Sequence, residues 1–219
     1  MQVAGMKFAL VEDQVMFRSL LRRLLVEECR GKVLFEAGSL AELRANVEQL
    51  RGVDLLLLDI RLPDGDGVDF VDEMNLKQIG VPVLLCSASV EDYIVHRVSR
   101  SFVQGFVHKN EEPNVLLTAI QTVVAGGAFF SPRFIERKRA LAANPDTFEK
   151  KLSPREQELL RLIGADYTDA EAAAATGISV STAVTHRRNI MAKLGLHTAR
   201  ELQIYAQKAG LSPNERHLG

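Results

Sequence analysis

Cysteine is scarce in this chain of 219 residues. The two present, Cys29 and Cys86, are too few for a disulfide framework and have no neighbours at metal-ligand spacing, so buried thiols are expected. Long apolar runs are missing as well. No stretch approaches the roughly 18 apolar residues of a membrane span, and the start lacks the charged, apolar and small-residue succession of a secretory signal. A cytoplasmic location is the expectation. The chain also lacks any large excess of one charge, with 27 basic and 28 acidic residues, but the near balance hides an asymmetry. Residues 1–130 carry 13 Lys and Arg against 18 Asp and Glu, whereas residues 131–219 carry 14 against 10. An acidic front half suits a cation site and a basic back half suits a polyanion partner.

What is present organises into two parts. Apolar strand-like runs near 6–11, 32–36, 53–58, 82–86 and 102–107 alternate with amphipathic stretches near 14–28, 40–50, 67–77, 91–100 and 113–125. Five βα units in succession predict an α/β domain, a five-stranded parallel doubly wound sheet covered by helices on both faces, over residues 1–130. Met6 opens the first strand, and the five residues before it are expected to be disordered, with Met6 as the true start. Gly126 and Gly127 stop the fifth helix, and the charged segment 131–150 reads as a linker with a short helix over 134–142. Residues 151–219 show no strand pattern and predict a smaller all-α module of about four helices.

The candidate chemistry lies at strand ends. Asp59 terminates an apolar strand and precedes Pro63-Asp64-Gly65-Asp66-Gly67; Glu12 and Asp13 end the first strand, and Lys109 follows the fifth. In an open α/β sheet such tips converge on one pocket. Glu12, Asp13 and Asp59 cannot all stay ionised close together without a cation, and an all-oxygen donor set selects a hard ion, Mg²⁺ in preference. Lys109 and the Ser87 hydroxyl would donate to the oxygens of a transferred phosphoryl group. His108, alternating with Lys109 along its strand, is expected on the opposite face in an ordinary packing role.

These residues resemble the receiver domain of bacterial response regulators: Glu12-Asp13, Asp59 with Pro63 four residues on, Ser87-Ala88, and Phe106 three residues before Lys109. The ending Ala125-Gly126-Gly127 with Ser131-Pro132 is similar to the NarL/FixJ subfamily. The resemblance implies a flavodoxin-like fold with Asp59 as phosphoacceptor, Asp13 as direct Mg²⁺ ligand, Glu12 as ligand through water and the Arg61 backbone carbonyl completing the set. It makes Ser87 and Phe106 a switch pair and Lys109 the partner of the phosphoryl oxygen. Glu12 stands where Asp is commoner, and Arg61 places a bulky cation beside the site, expected to alter phosphoryl lifetime.

In the second part, Ser153-Pro154-Arg155-Glu156 reads as a capping box with Pro at the first helical position. A short helix over 169–176, a turn at Gly177 and a helix from after Ser179 toward Leu194 follow, the geometry that lays a helix in the major groove. That last helix carries Arg187, Arg188 and Lys193 without an acidic residue, and exposes Ser181, Thr182, Thr185 and Asn189, suited to phosphate anchoring and base-edge reading. The segment from Leu152 through Thr185-His186-Arg187-Arg188 to Gly195 is similar to the LuxR-type helix-turn-helix. Measured against that family, Ala170, Ala172, Thr176, Ala183 and Val184 depart. Ala172, Thr176 and Ala183 shrink the core, and Val184 replaces a lysine contact with one suited to a thymine methyl.

The reading is a transcriptional response regulator, not an enzyme: a sensor histidine kinase phosphorylates Asp59 with Mg²⁺, and a homodimer binds double-stranded DNA. One alternative keeps the receiver as a scaffold in a regulator that works without phosphorylation. Another, a phosphatase using an aspartyl-phosphate intermediate, would want an acid two positions after Asp59, where Arg61 stands.

Overall fold

The computed structural model describes residues 5–144, 147–209 and 211, with Leu76 and Glu149 described by backbone alone. The segment before Met6 therefore lies outside the described residues, apart from Gly5. By contacts the chain divides into two compact units, residues 1–90 with 97–136, and residues 91–96 with 137–219.

The first unit is built around a parallel sheet. In chain order its elements are β1 (Lys7–Val11), α1 (Val15–Glu27), β2 (Lys32–Ala37), α2 (Leu40–Ala45), a 3-10 turn over Val47–Gly52, β3 (Leu55–Asp59), the short hairpin β4 (Arg61–Leu62) and β5 (Gly65–Asp66), and α3 (Gly67–Leu76). Then come β6 (Val83–Ser87), α4 (Asp92–Arg100), whose residues 92–96 fall in the second unit, β7 (Gly105–His108), α5 (Pro113–Val124), β8 (Phe129–Phe130) and the start of α6 (Pro132–Ala143). The sheet has six strands in the order β2-β1-β3-β6-β7-β8, not five. The additional strand is two phenylalanines that follow Gly126 and Gly127 and pair with β7, Phe106 opposite Phe130. Gly105 permits this approach, because a Cβ there would stand 2.8 Å from the Phe129 carbonyl oxygen. So short a strand carries no alternation of its own, which is why its residues read as the end of a helix and a linker.

Strand alternation sorts the side chains into two faces. Phe8 and Leu10, Leu55 and Leu57, Leu84 and Cys86, and Val107 share one core with Leu21 and Leu25 of α1 and Leu116, Ala119, Ile120 and Val123 of α5. The intervening residues, among them Leu56, Leu58, Leu85 and Phe106, point to the other face and are fully buried. Phe106 there meets Phe134 of α6 with ring centroids 4.8 Å apart, and Phe134 stacks in turn on Phe130 at 5.2 Å. The predicted short helix of the 131–150 segment is thus a full helix whose first turn packs into this unit.

The second unit contains the rest of α6, α7 (Phe148–Lys151), α8 (Pro154–Gly164), α9 (Asp169–Thr176), α10 (Val180–Leu194) and α11 (Ala199–Lys208). Local chemistry starts α8, α9, α10 and α11. Ser153 and Glu156, Thr168 and Glu171, and Thr198 and Glu201 form three capping boxes, and the Ser179 hydroxyl accepts from the Thr182 amide. Gly177 and Gly195 end α9 and α10 in the left-handed conformation, at φ 67° and 69°, which glycine reaches without strain. Leu159, Leu160, Ile163, Ile190, Leu202 and Ala206 form the core, with Phe148 and Leu211 closing it. Among the described residues no helix is long and apolar enough to cross a membrane.

Candidate functional sites: an acidic pocket and an exposed helix

The pocket follows from the two faces of the sheet. Glu12, Asp59 and Lys109 continue the columns that bear Leu10, Leu57 and Val107, so the three emerge beyond the strand ends on the side of α1. Ser87 and Phe106 belong to the opposite columns. Ser87 is buried one position past Cys86, the register partner of Asp59, and its main-chain oxygen accepts from the Lys109 amide at 2.8 Å. His108 shares the Phe106 column, is buried, and its Nδ1 accepts from the Asn110 amide at 3.1 Å, a local structural role.

Within the pocket Glu12 and Asp59 both meet Lys109. Lys109 Nζ donates to Asp59 Oδ2 at 2.6 Å and to Glu12 Oε1 at 2.9 Å. The side chains of Glu12, Asp59 and Lys109 are only 1%, 5% and 7% exposed. Asp59 Oδ1 accepts from the Arg61 amide at 3.2 Å, and Glu12 Oε1 from the Gln14 amide at 3.2 Å. Glu12 Oε2 lies 2.7 Å from Nζ but off the direction needed for a hydrogen bond, and it has no other hydrogen-bond partner. Ligand oxygens of Glu12, Asp13 and Asp59 all fall within 4.8 Å of one another, and Asp13 is exposed.

Burial sets the electrostatics. It raises the Glu12 carboxyl to about 7, helped by the neighbouring Asp59 charge and opposed by Lys109. Burial raises Asp59 as well, again against Lys109. For Lys109 burial acts downward, yet the Asp59 and Glu12 carboxylates outweigh it and hold the ammonium above its ordinary value. Beside them the Cys86 thiol is pushed up to about 12 by burial and by the Asp59 charge, so it stays a neutral core residue. Both cysteines are free and buried.

The loop after Asp59 is shaped by two close fits. A Cβ on Gly67 would lie 2.3 Å from the Asp59 carbonyl oxygen, so only glycine lets α3 begin directly beneath the site. The Asp64 carboxylate accepts from the Leu40 and Ala41 amides at 2.8 and 2.7 Å and so caps α2. The turn sequence 63–67 therefore joins the site to a helix well before it in the chain, a role that spacing alone does not reveal.

The second candidate surface is α10. Ser181, Val184, Thr185 and Arg188, spaced as one helical face, are all exposed, together with Thr182 and Asn189, while Ala183 and Ile190 are buried beneath. Arg187 and Lys193 stand elsewhere: Arg187 Nε lies 2.9 Å from Asp169 Oδ1 of α9, and Lys193 Nζ 2.7 Å from Glu156 Oε2 of α8. His186 is half-buried, with a shielded Nδ1 that has no hydrogen-bond partner. The departures in the core of this unit sit in different settings. Ala172 and Ala183 are shielded from solvent, and the Thr176 hydroxyl donates to the Ala172 carbonyl at 2.7 Å while the Arg155 guanidinium donates to the Thr176 carbonyl.

The family model for the response regulator receiver domain matches residues 8–121, just over half of the chain, and that for bacterial regulatory proteins of the luxR family matches residues 150–206. The chain belongs to the response regulators. It carries a receiver domain followed by a LuxR-type helix-turn-helix domain. It is similar to the response regulator protein VraR of Staphylococcus aureus, 28% identical over 200 residues that span 91% of this chain and 95% of the relative. Among solved structures it resembles RcsB from Salmonella enterica serovar Typhimurium bound to promoter rprA in the presence of the phosphomimetic BeF3⁻, with TM-score 0.71 and 22% identity over 93% of this chain and 98% of that one. A structure of two RcsB dimers bound to two parallel DNAs matches with TM-score 0.64 and 21% identity, over the same shares of the two chains. At these identities the two structures speak for the fold.

Proposed function

We propose that this response regulator is switched by phosphorylation of Asp59, received from a sensor histidine kinase or a small phosphodonor, and that the switch controls dimerisation and DNA binding. The observation that carries the reading is the buried pocket in which Lys109 Nζ sits 2.6 Å from Asp59 Oδ2 within a cluster of three carboxylates. In the transfer an Asp59 carboxylate oxygen forms a bond to phosphorus as the phosphorus–nitrogen bond of the donor histidine breaks, leaving an acyl phosphate and a neutral imidazole, the ring having carried a proton on its other nitrogen beforehand. Lys109 holds the nucleophile in place beforehand and afterwards offers its ammonium to a phosphoryl oxygen.

The donor set fits Mg²⁺: oxygen ligands only, from three carboxylates whose ligand oxygens lie within 4.8 Å of one another. Asp13, Asp59 and the Arg61 carbonyl would hold the ion directly and Glu12 through water. Bound there, Mg²⁺ would offset the negative charge of the incoming phosphoryl oxygens. Ser87 and Phe106 act on the other face of the sheet, the hydroxyl moving toward the phosphoryl group and the ring following. Residues 1–130 form the receiver, 131–150 the linker and 151–219 the DNA-binding domain. In the last, the face bearing Ser181, Val184, Thr185 and Arg188 reads the major groove, and Arg187 and Lys193 approach phosphates carrying their acidic partners with them. RcsB dimers on DNA support the dimeric reading.

Intact-mass and size analysis of wild type and Asp59→Ala after incubation with Mg²⁺ and a small acyl-phosphate donor tests this. Wild type alone is expected to gain one phosphoryl group and to change its oligomeric state. Equal labelling of both, or of neither, would overturn the proposal.

A further inference from the structure

We propose that Phe17 of α1 is a positioning residue for phosphoryl transfer: its ring face holds the Lys109 ammonium at the point between Glu12 and Asp59 where the transferred group arrives. The inference rests on the reading of Asp59 as phosphoacceptor. Nζ lies 4.9 Å from the Phe17 ring centroid, inside the range of about 6 Å over which a ring face attracts a cation. The two carboxylates hold Nζ from the strand ends, and the ring faces it from α1. A lysine carries a compact charge on a long flexible stem, so its position is set by what surrounds the head group.

Phe17 is itself held. It lies on the same inner stripe of α1 as Leu21 and Leu25 and packs against their core, whereas Met16 and Leu20 on the outer stripe are 86% and 59% exposed. The chemistry of the contact suits the reaction. A ring face attracts the ammonium without directional bonds, neither gives nor takes a proton, and does not compete for the incoming phosphoryl oxygens. Nζ can therefore turn from Asp59 Oδ2 to a phosphoryl oxygen without breaking a hydrogen bond on the α1 side, and the ring keeps it shielded from water while it does so.

The test compares rate constants for phosphorylation of the full chain by a small acyl-phosphate donor with Mg²⁺ in wild type, Phe17→Leu, Phe17→Tyr, Lys109→Gln and the Phe17→Leu/Lys109→Gln pair. Phe17→Leu is expected to slow the reaction about three- to tenfold with Mg²⁺ affinity unchanged. Phe17→Tyr, which keeps the ring face, is expected to retain the wild-type rate, and the leucine substitution to have no further effect once Lys109 is Gln. A wild-type rate in Phe17→Leu, an equal slowing by the tyrosine and leucine variants, or the same slowing in the Lys109→Gln background would each overturn the assignment. Should Lys109→Gln not fold, the contrast between tyrosine and leucine at position 17 decides alone. A wild type that takes up no phosphoryl group while remaining folded overturns the Asp59 reading and this inference with it.

Discussion

The acidic pocket and the exposed face of α10 are opposite solutions to placing charge. In the pocket Glu12, Asp59 and Lys109 are nearly sealed from water and each is bonded to another, so the arrangement is stiff, costly to disturb and sensitive to any added charge. On α10 Ser181, Val184, Thr185 and Arg188 lie in solvent, while Arg187 and Lys193, the cations nearest the rest of the unit, pair with Asp169 and Glu156. Buried charges can store a switch because their neighbours must rearrange when one changes. Exposed ones can read a partner because little has to be undone first.

The contrast is broken most severely by Lys109→Ala, which leaves two buried carboxylates without their cation. A loss of about 3–5 kcal/mol is expected in metal-free protein, read by urea unfolding, with partial recovery on adding Mg²⁺. Arg188→Ala on α10 should leave the same unfolding curve within about 0.5 kcal/mol, and equal losses for the two would erase the distinction.

The pH dependence is the next largest effect. Glu12 in the fold holds its proton up to about 7, above its ordinary value, because burial outweighs Lys109. Between roughly pH 4.5 and 7 the folded state therefore binds more protons than the unfolded state, and stability falls as pH rises through this window. Metal-free wild type should lose about 2–3 kcal/mol across it, while Glu12→Gln should fall less steeply, keeping only the contribution of Asp59, whose carboxyl burial also raises. A wild-type profile rising over that range would contradict the burial argument.

On the exposed side, Arg188→Ala should weaken binding to a selected duplex by about 1–3 kcal/mol and relax discrimination at the base it reads. Lys193→Ala should do less. Its half-exposed pair with Glu156 contributes under about 1 kcal/mol to the fold, and its phosphate contact is shared with that carboxylate, so affinity should fall uniformly across duplexes and the salt slope by less than about one. Titrations at several salt concentrations give both values. A uniform loss across duplexes for Arg188→Ala would take Arg188 off the bases, and an unchanged slope for Lys193→Ala would take Lys193 off the phosphates.

What the sequence made legible was whatever depends on neighbours along the chain. The Ser153 and Glu156 capping box, the glycine turn at 177 and the extent of α10 follow from local bonding and backbone freedom, and the five longer strands from short, mainly apolar runs. Asp59, Glu12 and Lys109 were legible as strand-end residues because the topology of an open sheet brings such ends together. The rest needed distance. β8 exists only because Gly105 leaves room beside β7, Asp64 caps a helix that precedes it by more than twenty residues, and the ring of Phe17 is one apolar position among several on α1 until Lys109 is seen over its face. The pairing of Arg187 and Lys193 was hidden for the same reason, since their partners sit on two other helices.

The central claim is that a change in the buried pocket alters the exposed reader. The most direct measurement is the affinity of the full-length protein for a duplex selected from a random library, by fluorescence anisotropy with Mg²⁺, with and without beryllofluoride, for wild type and Asp59→Asn. Tighter binding with beryllofluoride in wild type and none of that gain in Asp59→Asn is the predicted result. The same gain in both, or no change in a wild type shown by mass and size analysis to be phosphorylated, would contradict it.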